Sequence, residues 1–386
     1  MNFKKRRIFP TNNIIIILIM ELGYYFLSIL VSALVTYICA PFIRKIGLVK
    51  QITCFVSTRS SHAGRVTPLG GVAIFLGISM TLFCFAPSDG LHSLFYVLGG
   101  MIIIFFIGLT DDLVSLRPMY KVIGQIAAAF LLVVFSKAEF LGLHGLVGVD
   151  LFPPIVSGLF TLFVFVLFIN AFNLIDGVDG LASTQAIICS VWYGIIFYAT
   201  GNASMLLLSC AIIGALLSFL VFNFSKKRKM FMGDTGSMLI GLLLVFQGVI
   251  ISNVGYLENN ILQTDNTLVL ACAPLLLPLI DTTRVFIIRL YMGKSPFYPD
   301  KNHIHHQFSL LGFAHWKISA ILGVVSIFAI TIAMVSRDLN INESFVLSVF
   351  MTIALIISVI LFAKINIPSN GSTFLGKGRN AYFKNL

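Results

Sequence analysis

Long apolar runs constrain the fold of this chain more than any other feature. Eleven runs, separated by turn residues and charges, can be read at 22–43, 70–86, 94–110, 122–136, 156–172, 184–200, 205–224, 236–254, 266–283, 317–336 and 344–363. Most approach the roughly 20 residues that a helix needs to cross the hydrocarbon of a bilayer. Only 11% of the 386 residues are charged, whereas about 25% is typical of a soluble domain. The sequence therefore predicts an all-α, polytopic membrane protein of about eleven transmembrane helices.

The basic residues orient these predicted spans. Most of the 26 Lys and Arg residues lie in the 44–69 loop, in the other connections on its side of the membrane, and in the C-terminal tail. The positive-inside rule places that side in the cytoplasm. The net charge of +11 either attracts anionic lipid headgroups or only sets the topology. Nucleic acid is not an expected partner, because the chain lacks a basic surface interleaved with aromatic residues.

The same pattern divides the chain into three segments. Residues 22–363 form the eleven-helix transmembrane domain, and residues 364–386 form a basic, cytoplasmic tail. With eleven spans and an inside C-terminus, the basic run Lys4–Arg7 would lie outside, against the charge rule. Residues 1–21 are therefore interpreted as an N-terminal extension or a mis-assigned start, with translation beginning at Met20. A signal peptide is the alternative.

Four short polar islands contain every acidic residue of the predicted cytoplasmic face. They are Asp111-Asp112 in GLTDDLVSLRP, Asp176 and Asp179 in NAFNLIDGVDGLA, Asp234 in FMGDTGS, and Asp281 with Asp300 around SPFYPDKNHIHH. The acidic residues of the other face are scattered singly. Adjacent like charges at a helix end are costly unless a cation offsets them, and Mg²⁺ with oxygen ligands would do so. The clustering predicts cytoplasmic catalytic loops that bind a divalent metal and a phosphate substrate.

Three of the islands also have a plainer interpretation. The Asp111-Asp112 pair could be a solvated helix end, and Asp234 could cap the helix that follows it. In the stretch from Asn170 to Gly180, polar side chains recur every three residues, while glycines break the helix that would otherwise present them. Such a stretch forms either a plain turn or a binding loop whose oxygens and N–H groups face one cavity. The spacing of a calcium-binding EF-hand loop is absent.

Cationic and imidazole side chains accompany the acids. Arg117 and Lys121 follow the Asp pair, and Arg59 and Arg65 precede the turn at 67–71. Basic side chains near a metal centre would balance the charge of a pyrophosphate, although each one alone is also a topology signal. The histidine loop contains His303, His305 and His306. The last two are neighbours whose side chains are expected to diverge, and no Cys or Glu completes a zinc site. Binding of phosphate or sugar, or orientation of the loop, is therefore favoured over metal binding.

Together, these motifs resemble a known family. Asp111-Asp112, NAFNLIDGVDGLA, FMGDTGS and PDKNHIHH, in this order on one face, closely resemble the polyprenyl-phosphate N-acetylhexosamine-1-phosphate transferases over about residues 22 to 315. The resemblance implies that undecaprenyl phosphate attacks the β-phosphate of a UDP-sugar with Mg²⁺, or Mn²⁺ as a substitute, and that UMP is released. It also implies a multi-pass enzyme of the bacterial cytoplasmic membrane with its active site facing the cytoplasm, membrane lipid around it, and a homodimer as one arrangement.

The resemblance further assigns a role to individual residues. Asp111 or Asp112 would deprotonate or position the lipid phosphate, and Asp176 would belong to the same cleft. Asp234 and Asn170 would hold Mg²⁺ on the pyrophosphate. The remaining substrate-binding positions would be Asn173, Asp179, Asn223 and Phe231 for the nucleotide, Lys121 or Arg117 for phosphate, and His303, His305 and His306 in the histidine loop.

The histidine loop favours one branch of the family. Its His-Ile-His-His form resembles the branch that uses UDP-GlcNAc or a related UDP-HexNAc to begin O-antigen, enterobacterial common antigen, teichoic acid or capsule glycans. The alternative is the peptidoglycan branch, which transfers phospho-MurNAc-pentapeptide and usually carries three consecutive histidines here, whereas Ile304 interrupts the run in this chain. A membrane transporter is the alternative from another class, but transporters bury functional ionisable residues near the bilayer midplane.

Overall fold

Helices make up most of the structure. A computed structural model of the chain describes residues 11–55, 65–256, 262, 264, 266–293 and 302–366. The α-helices in these ranges are α1 (Thr11–Val49), α2 (Gly70–Phe85), α3 (Leu91–Val114), α4 (Pro118–Phe135), α5 (Pro154–Ile175), α6 (Leu181–Ala199), α7 (Ala203–Asn223), α8 (Gly233–Ser252), α9 (Thr267–Cys272), α10 (Leu276–Tyr291), α11 (Ile304–Leu310), α12 (His315–Val335) and α13 (Ile341–Asn366). Two short antiparallel pairs join β1 (Cys54–Phe55) to β2 (Arg65–Val66) and β3 (Gly142–Leu146) to β4 (Val149–Leu151).

Each predicted span coincides with an apolar helical segment. Among the described residues, ten segments are long and apolar enough to cross a membrane, and α2, with 16 residues, is a shorter apolar helix. The prediction of an all-α, polytopic membrane protein is confirmed. The ninth span is composite, because a 3₁₀ turn at Ala273–Leu275 separates α9 from α10. Pro274 lies in this turn, where a residue without an N–H group interrupts the helix ladder.

The domain boundaries predicted at residues 21 and 364 stay predictions. α1 runs through the first of them without a break, from Thr11 to Val49. Residues 1–10 and 367–386 lie outside the described residues, as do Arg59 and Asp300. Arg65 lies exposed on β2.

Helix α8 lies at the centre of the bundle. Nearly every residue from Thr235 to Ser252 is buried, and α8 packs against α2, α3, α5 and α6. Glycines allow two of these approaches. A Cβ at Gly71 in α2 would lie 2.2 Å from the backbone N of Gly236, and one at Gly108 in α3 would lie 2.5 Å from Cα of Thr235. This close packing brings the last turn of α3 against the first turn of α8.

Candidate active site

Asp112 caps helix α8 from a different helix. Its Oδ1 accepts a hydrogen bond from the backbone N–H of Asp234 at 2.9 Å. Its Oδ2 accepts from the N–H of Thr235 at 3.0 Å and from the Thr235 hydroxyl at 2.5 Å. The first N–H groups of a helix lack partners within it, and a carboxylate there is stabilising. Because Asp112 supplies the cap, the carboxylate of Asp234 is available for another role.

Lys121 joins the first and third islands. Its Nζ lies 2.7 Å from Oδ2 of Asp111 and 2.6 Å from Oδ2 of Asp234. Asp111 is also held by the N–H of Leu116, which donates to its Oδ1 at 2.7 Å. One ammonium group therefore connects α3, α4 and α8. Arg117, the other predicted phosphate-binding cation, lies exposed directly before α4. Among the described residues, neither Arg117 nor Lys121 lines the cavity that the acidic islands surround.

The second island forms a tight loop between α5 and α6. Gly180 adopts a positive φ of 79°, and its N–H donates to Oδ1 of Asn223 at 2.6 Å. The amide of Asn223 in turn donates to the carbonyl of Met230 at 2.9 Å, which ties the loop to the segment that enters α8. Burial raises the pKa of Asp176 well above its usual range, and the carboxylates of Asp234 and Asp112 raise it further. The loop therefore brings Asp176 close to the acids of the other islands.

Asp179 in the same loop binds two basic side chains. Its Oδ2 lies 2.6 Å from Nζ of Lys229 and 2.7 Å from Nδ1 of His315. Burial alone would raise the pKa of Asp179, but the hydrogen bonds from His315 and Lys229 outweigh it and lower the pKa below its usual value. The backbone carbonyl of Asp179 accepts a third bond, from the hydroxyl of Ser319 at 2.8 Å. Helix α12 thus fixes this residue at two points.

The histidine loop is fixed by Asp281 and packs against the second island. Buried Asp281 pairs with Nδ1 of His303 at 3.0 Å and accepts from the N–H of Ile304 at 2.9 Å. The His305 ring covers Gly177, where a Cβ would lie 2.4 Å from its Nε2. Burial lowers the pKa of His305 to about 3, with the charge of His306 as a smaller cause. A neutral ring packed on a glycine supports a loop-orienting role.

The expected divergence of His305 and His306 is wrong. Their ring centroids are 4.3 Å apart, and those of His303 and His305 are 5.6 Å apart in a stacked arrangement. Both residues lie in the first turn of the short helix α11, where neighbouring side chains are about 100° apart around the axis, closer together than on the opposite faces of an extended loop.

Residues of these loops and helix ends line one cavity of about 460 Å³. The described residues that line it include the acids of three islands and side chains around them: Asp111, Asp112, Asp176, Asp179, Asp234, Asn223, Lys229, Phe231 and His315. Asn173 lies beside it and donates to the hydroxyl of Ser237 at 3.0 Å. Most of the predicted catalytic and nucleotide-binding positions are therefore brought together at one end of the helix bundle.

The oxygen atoms that line this cavity suit Mg²⁺ better than a metal whose ligands must all be supplied by the protein. Among the described residues, no three Asp, Glu, His or Cys side chains are arranged to hold a metal ion. Mg²⁺ commonly uses one or two carboxylates, with waters and substrate phosphates as its other ligands. Asp234 and Asp111 offer such oxygens. Asn170 does not line the cavity; its amide donates to Oε1 of buried Gln125 at 2.7 Å, and its metal role stays a prediction.

Two residues of this site were not predicted from the sequence. Lys229 belongs to the basic run Lys226–Lys229, which is typical of a topology signal. Its position two residues before Phe231, a predicted nucleotide-binding residue, could have indicated a place in the same site. His315 stands alone at the start of an apolar span, so no local pattern marks it. Only the packing of α12 against the second island brings it to the cavity.

Comparison with known proteins supports the relationship that the motifs indicate. The sequence model of the family described as Glycosyl transferase family 4 matches residues 94–252, which include the first three islands. A decaprenyl-phosphate N-acetylglucosaminephosphotransferase of Mycolicibacterium smegmatis is 32% identical over 311 residues, 74% of this chain and 75% of the relative. The protein of the same name from Mycobacterium tuberculosis is 31% identical over 76% of this chain and 78% of its own length.

A third relative has a related printed name. It is the undecaprenyl-phosphate alpha-N-acetylglucosaminyl 1-phosphate transferase of Escherichia coli, which is 27% identical over 81% of this chain and 82% of its own length. All three similarities extend well beyond the segment that the family model matches. The chain therefore belongs to glycosyl transferase family 4, among the polyprenyl-phosphate N-acetylhexosamine-1-phosphate transferases that its motifs resemble.

Proposed function

We propose that this protein transfers GlcNAc-1-phosphate, or a related HexNAc-1-phosphate, from a UDP-sugar to undecaprenyl phosphate and releases UMP. The observation that carries the proposal is the position of Lys121, whose ammonium lies between Asp111 and Asp234 beside a cavity lined with carboxylates. Phosphoryl transfer depends mainly on positioning and on cations that balance the charge of the transferred group. The names of the relatives support the same reaction.

In the proposed reaction, an oxygen of undecaprenyl phosphate forms a bond to the β-phosphorus of the donor. The bond from that phosphorus to the bridging oxygen breaks, and UMP leaves with the electron pair. Both carboxylate oxygens of Asp112 are used to hold the start of α8, whereas Asp111 binds the ammonium of Lys121, the cation proposed to meet the reacting phosphates. Asp111 is therefore the better candidate to receive a proton from the lipid phosphate or to position it. Lys121 stabilises negative charge on the reacting phosphates.

We also propose that Asp234 holds Mg²⁺, with Asp111 and Asp176 nearby. When bound, Mg²⁺ would supply positive charge to the pyrophosphate oxygens of the donor. The protein would lie in the bacterial cytoplasmic membrane with this cavity facing the cytoplasm, because the islands share a side with most of the basic loops. The lipid substrate would enter from the bilayer and the nucleotide from water.

A donor comparison tests the proposal. Purified protein in detergent, with no ion gradient, is mixed with undecaprenyl phosphate and one of UDP-GlcNAc, UDP-GalNAc, UDP-QuiNAc or UDP-MurNAc-pentapeptide, and UMP is measured. We expect UMP from at least one UDP-HexNAc, loss of the reaction with EDTA, and recovery with Mg²⁺ or Mn²⁺. Turnover of UDP-MurNAc-pentapeptide alone would assign the protein to peptidoglycan synthesis. Absence of UMP with every donor would contradict the proposal and favour a transporter.

A further inference from the structure

The cavity contains a second group of charged side chains, which shares no residue with the Lys121 cluster formed by Lys121, Asp111 and Asp234. Asp179 contributes one oxygen, Oδ2, to both Lys229 and His315 at 2.6 and 2.7 Å. All three side chains line the cavity. The Lys229 ammonium also lies 5.5 Å from the centroid of the Phe231 ring, another lining residue. These four residues form what we call the Asp179 wall.

Helix α12 holds its part of this wall rigidly. His315 and Ser319 lie one turn apart, on the same face of the helix. Ser319 is buried, and its hydroxyl donates to the backbone carbonyl of Asp179 at 2.8 Å. The carboxylate of Asp179 binds Nδ1 of His315. Two contacts from neighbouring turns fix both the position of the helix and the orientation of the imidazole.

The remaining part of the His315 ring is available to a ligand. Its side chain is 50% exposed although its carboxylate partner is only 12% exposed, so the ring lies at the cavity surface and the acid behind it. A carboxylate on one ring nitrogen sets the tautomer and leaves the other nitrogen to make contacts. Here Nδ1 is bound to Asp179, so a molecule in the cavity would be contacted through Nε2.

The Asp179 wall suits the nucleotide part of the donor. The charges of Lys229 and Asp179 offset each other, and an aromatic ring lies next to them, a combination that accommodates a planar base with polar edges. With Nδ1–H donated to Asp179, the imidazole Nε2 can accept a hydrogen bond from a hydroxyl or N–H group of a nucleoside. The Lys121 cluster, in contrast, has only charged and hydrogen-bonding partners.

We propose that His315 is a donor-binding residue, which contacts the nucleotide of the UDP-sugar through Nε2 while Asp179 holds its Nδ1. This inference rests on the proposed function. It adds a residue of α12 to a site whose acidic residues all come from the part of the chain between α3 and the start of α8. Helix α12 lies outside residues 94–252 that the family model matches. Through His315, helix α12 takes part in donor recognition and not only in packing.

Steady-state kinetics with two variants of His315 test this inference. His315→Ala removes both ring contacts, whereas His315→Asn keeps an amide that can donate to Asp179 but lacks an atom at Nε2. We expect both variants to raise KM for UDP-GlcNAc about tenfold, which corresponds to the loss of one good polar contact. KM for undecaprenyl phosphate should stay within about twofold of the wild type, because the proposed contact is made to the nucleotide donor and not to the lipid. Lys317→Ala, which removes an exposed cation from the same turn of α12, is the matched control and should leave both constants unchanged.

The outcomes separate a binding role from a bracing role. Normal donor KM in His315→Asn, with a raised KM in His315→Ala, would mean that His315 only braces Asp179, and this would overturn the inference. Equal increases in both KM values would also overturn it. If the wild-type protein releases no UMP from any donor, the proposed function fails instead, which is a different result. Should His315→Ala not purify as a folded protein, His315→Asn alone decides between contact and bracing.

Discussion

Replacing Gly108 by alanine is expected to lower kcat/KM by about 100-fold or more, because a misplacement of about 1 Å at an active site has effects of that size. The new Cβ would lie 2.5 Å from Cα and 2.7 Å from the backbone N of Thr235. These are backbone atoms of α8, so α3 itself must move. Asp111 and Asp112 follow Gly108 by one turn, and the shift would separate them from Asp234 and weaken the cap on α8. Activity and melting temperature in detergent measure the two consequences.

Gly99→Ala is the matched control on the same helix. There, the nearest atom to a new Cβ is Cδ1 of Leu131 at 3.3 Å, the end of a flexible side chain. We expect activity within about twofold of the wild type, since small adjustments of side chains relieve such contacts. Similar losses of activity in both variants would contradict the conclusion that the α3–α8 approach at Gly108 builds the site.

The Asp234→Asn variant is expected to remain folded and to lose activity by about three orders of magnitude, as removal of one charged group from a phosphoryl-transfer site commonly does. Asparagine has nearly the same shape, and α8 keeps its cap because Asp112 supplies it. The substitution removes one of the two carboxylates that hold Lys121 and the oxygen proposed to bind Mg²⁺. Measurement of UMP release, together with the melting temperature, separates loss of chemistry from loss of structure.

Asp338→Asn provides the corresponding control away from the cavity. Asp338 is 77% exposed in the connection between α12 and α13, at the opposite end of α12 from His315. Its loss should change neither activity nor stability, because an exposed ion pair contributes little. Near-normal turnover by Asp234→Asn would refute the role given to Asp234.

The sequence was sufficient to predict the spans and the clustering of acids, because both depend on local composition. An apolar run of about 20 residues identifies a membrane-spanning helix without any knowledge of the helices that pack against it. The islands at 111–112, 176–179 and 234 lie at helix ends, where the chain must reverse, and alternate spans bring those ends to one side. Three of the four predicted islands converge, because Asp111, Asp112, Asp176 and Asp234 line one cavity, whereas Asp281 of the fourth island binds the histidine loop and does not line it.

The pairing of side chains within the cavity could not be predicted, because it depends on which helices approach closely. Asp234 could be expected to cap its own helix, but Gly108 lets α3 come near enough for Asp112 to do so. The separation of Asp179 and His315 by 136 residues similarly conceals their contact. The hairpin of β3 and β4 was missed because its two turn residues, Val147 and Gly148, both have positive φ angles, and a β-branched residue is rarely expected at such a position.

The fate of the β-phosphate tests the central claim that this cavity performs phosphoryl transfer and not sugar transfer. The wild-type protein is incubated with undecaprenyl phosphate and UDP-GlcNAc that carries radioactive phosphorus in the β-position, and lipid and water phases are separated. We predict that the label moves into the lipid phase while unlabelled UMP accumulates in the water. Retention of the label in water as UDP, with only the sugar passing to lipid, would contradict the account.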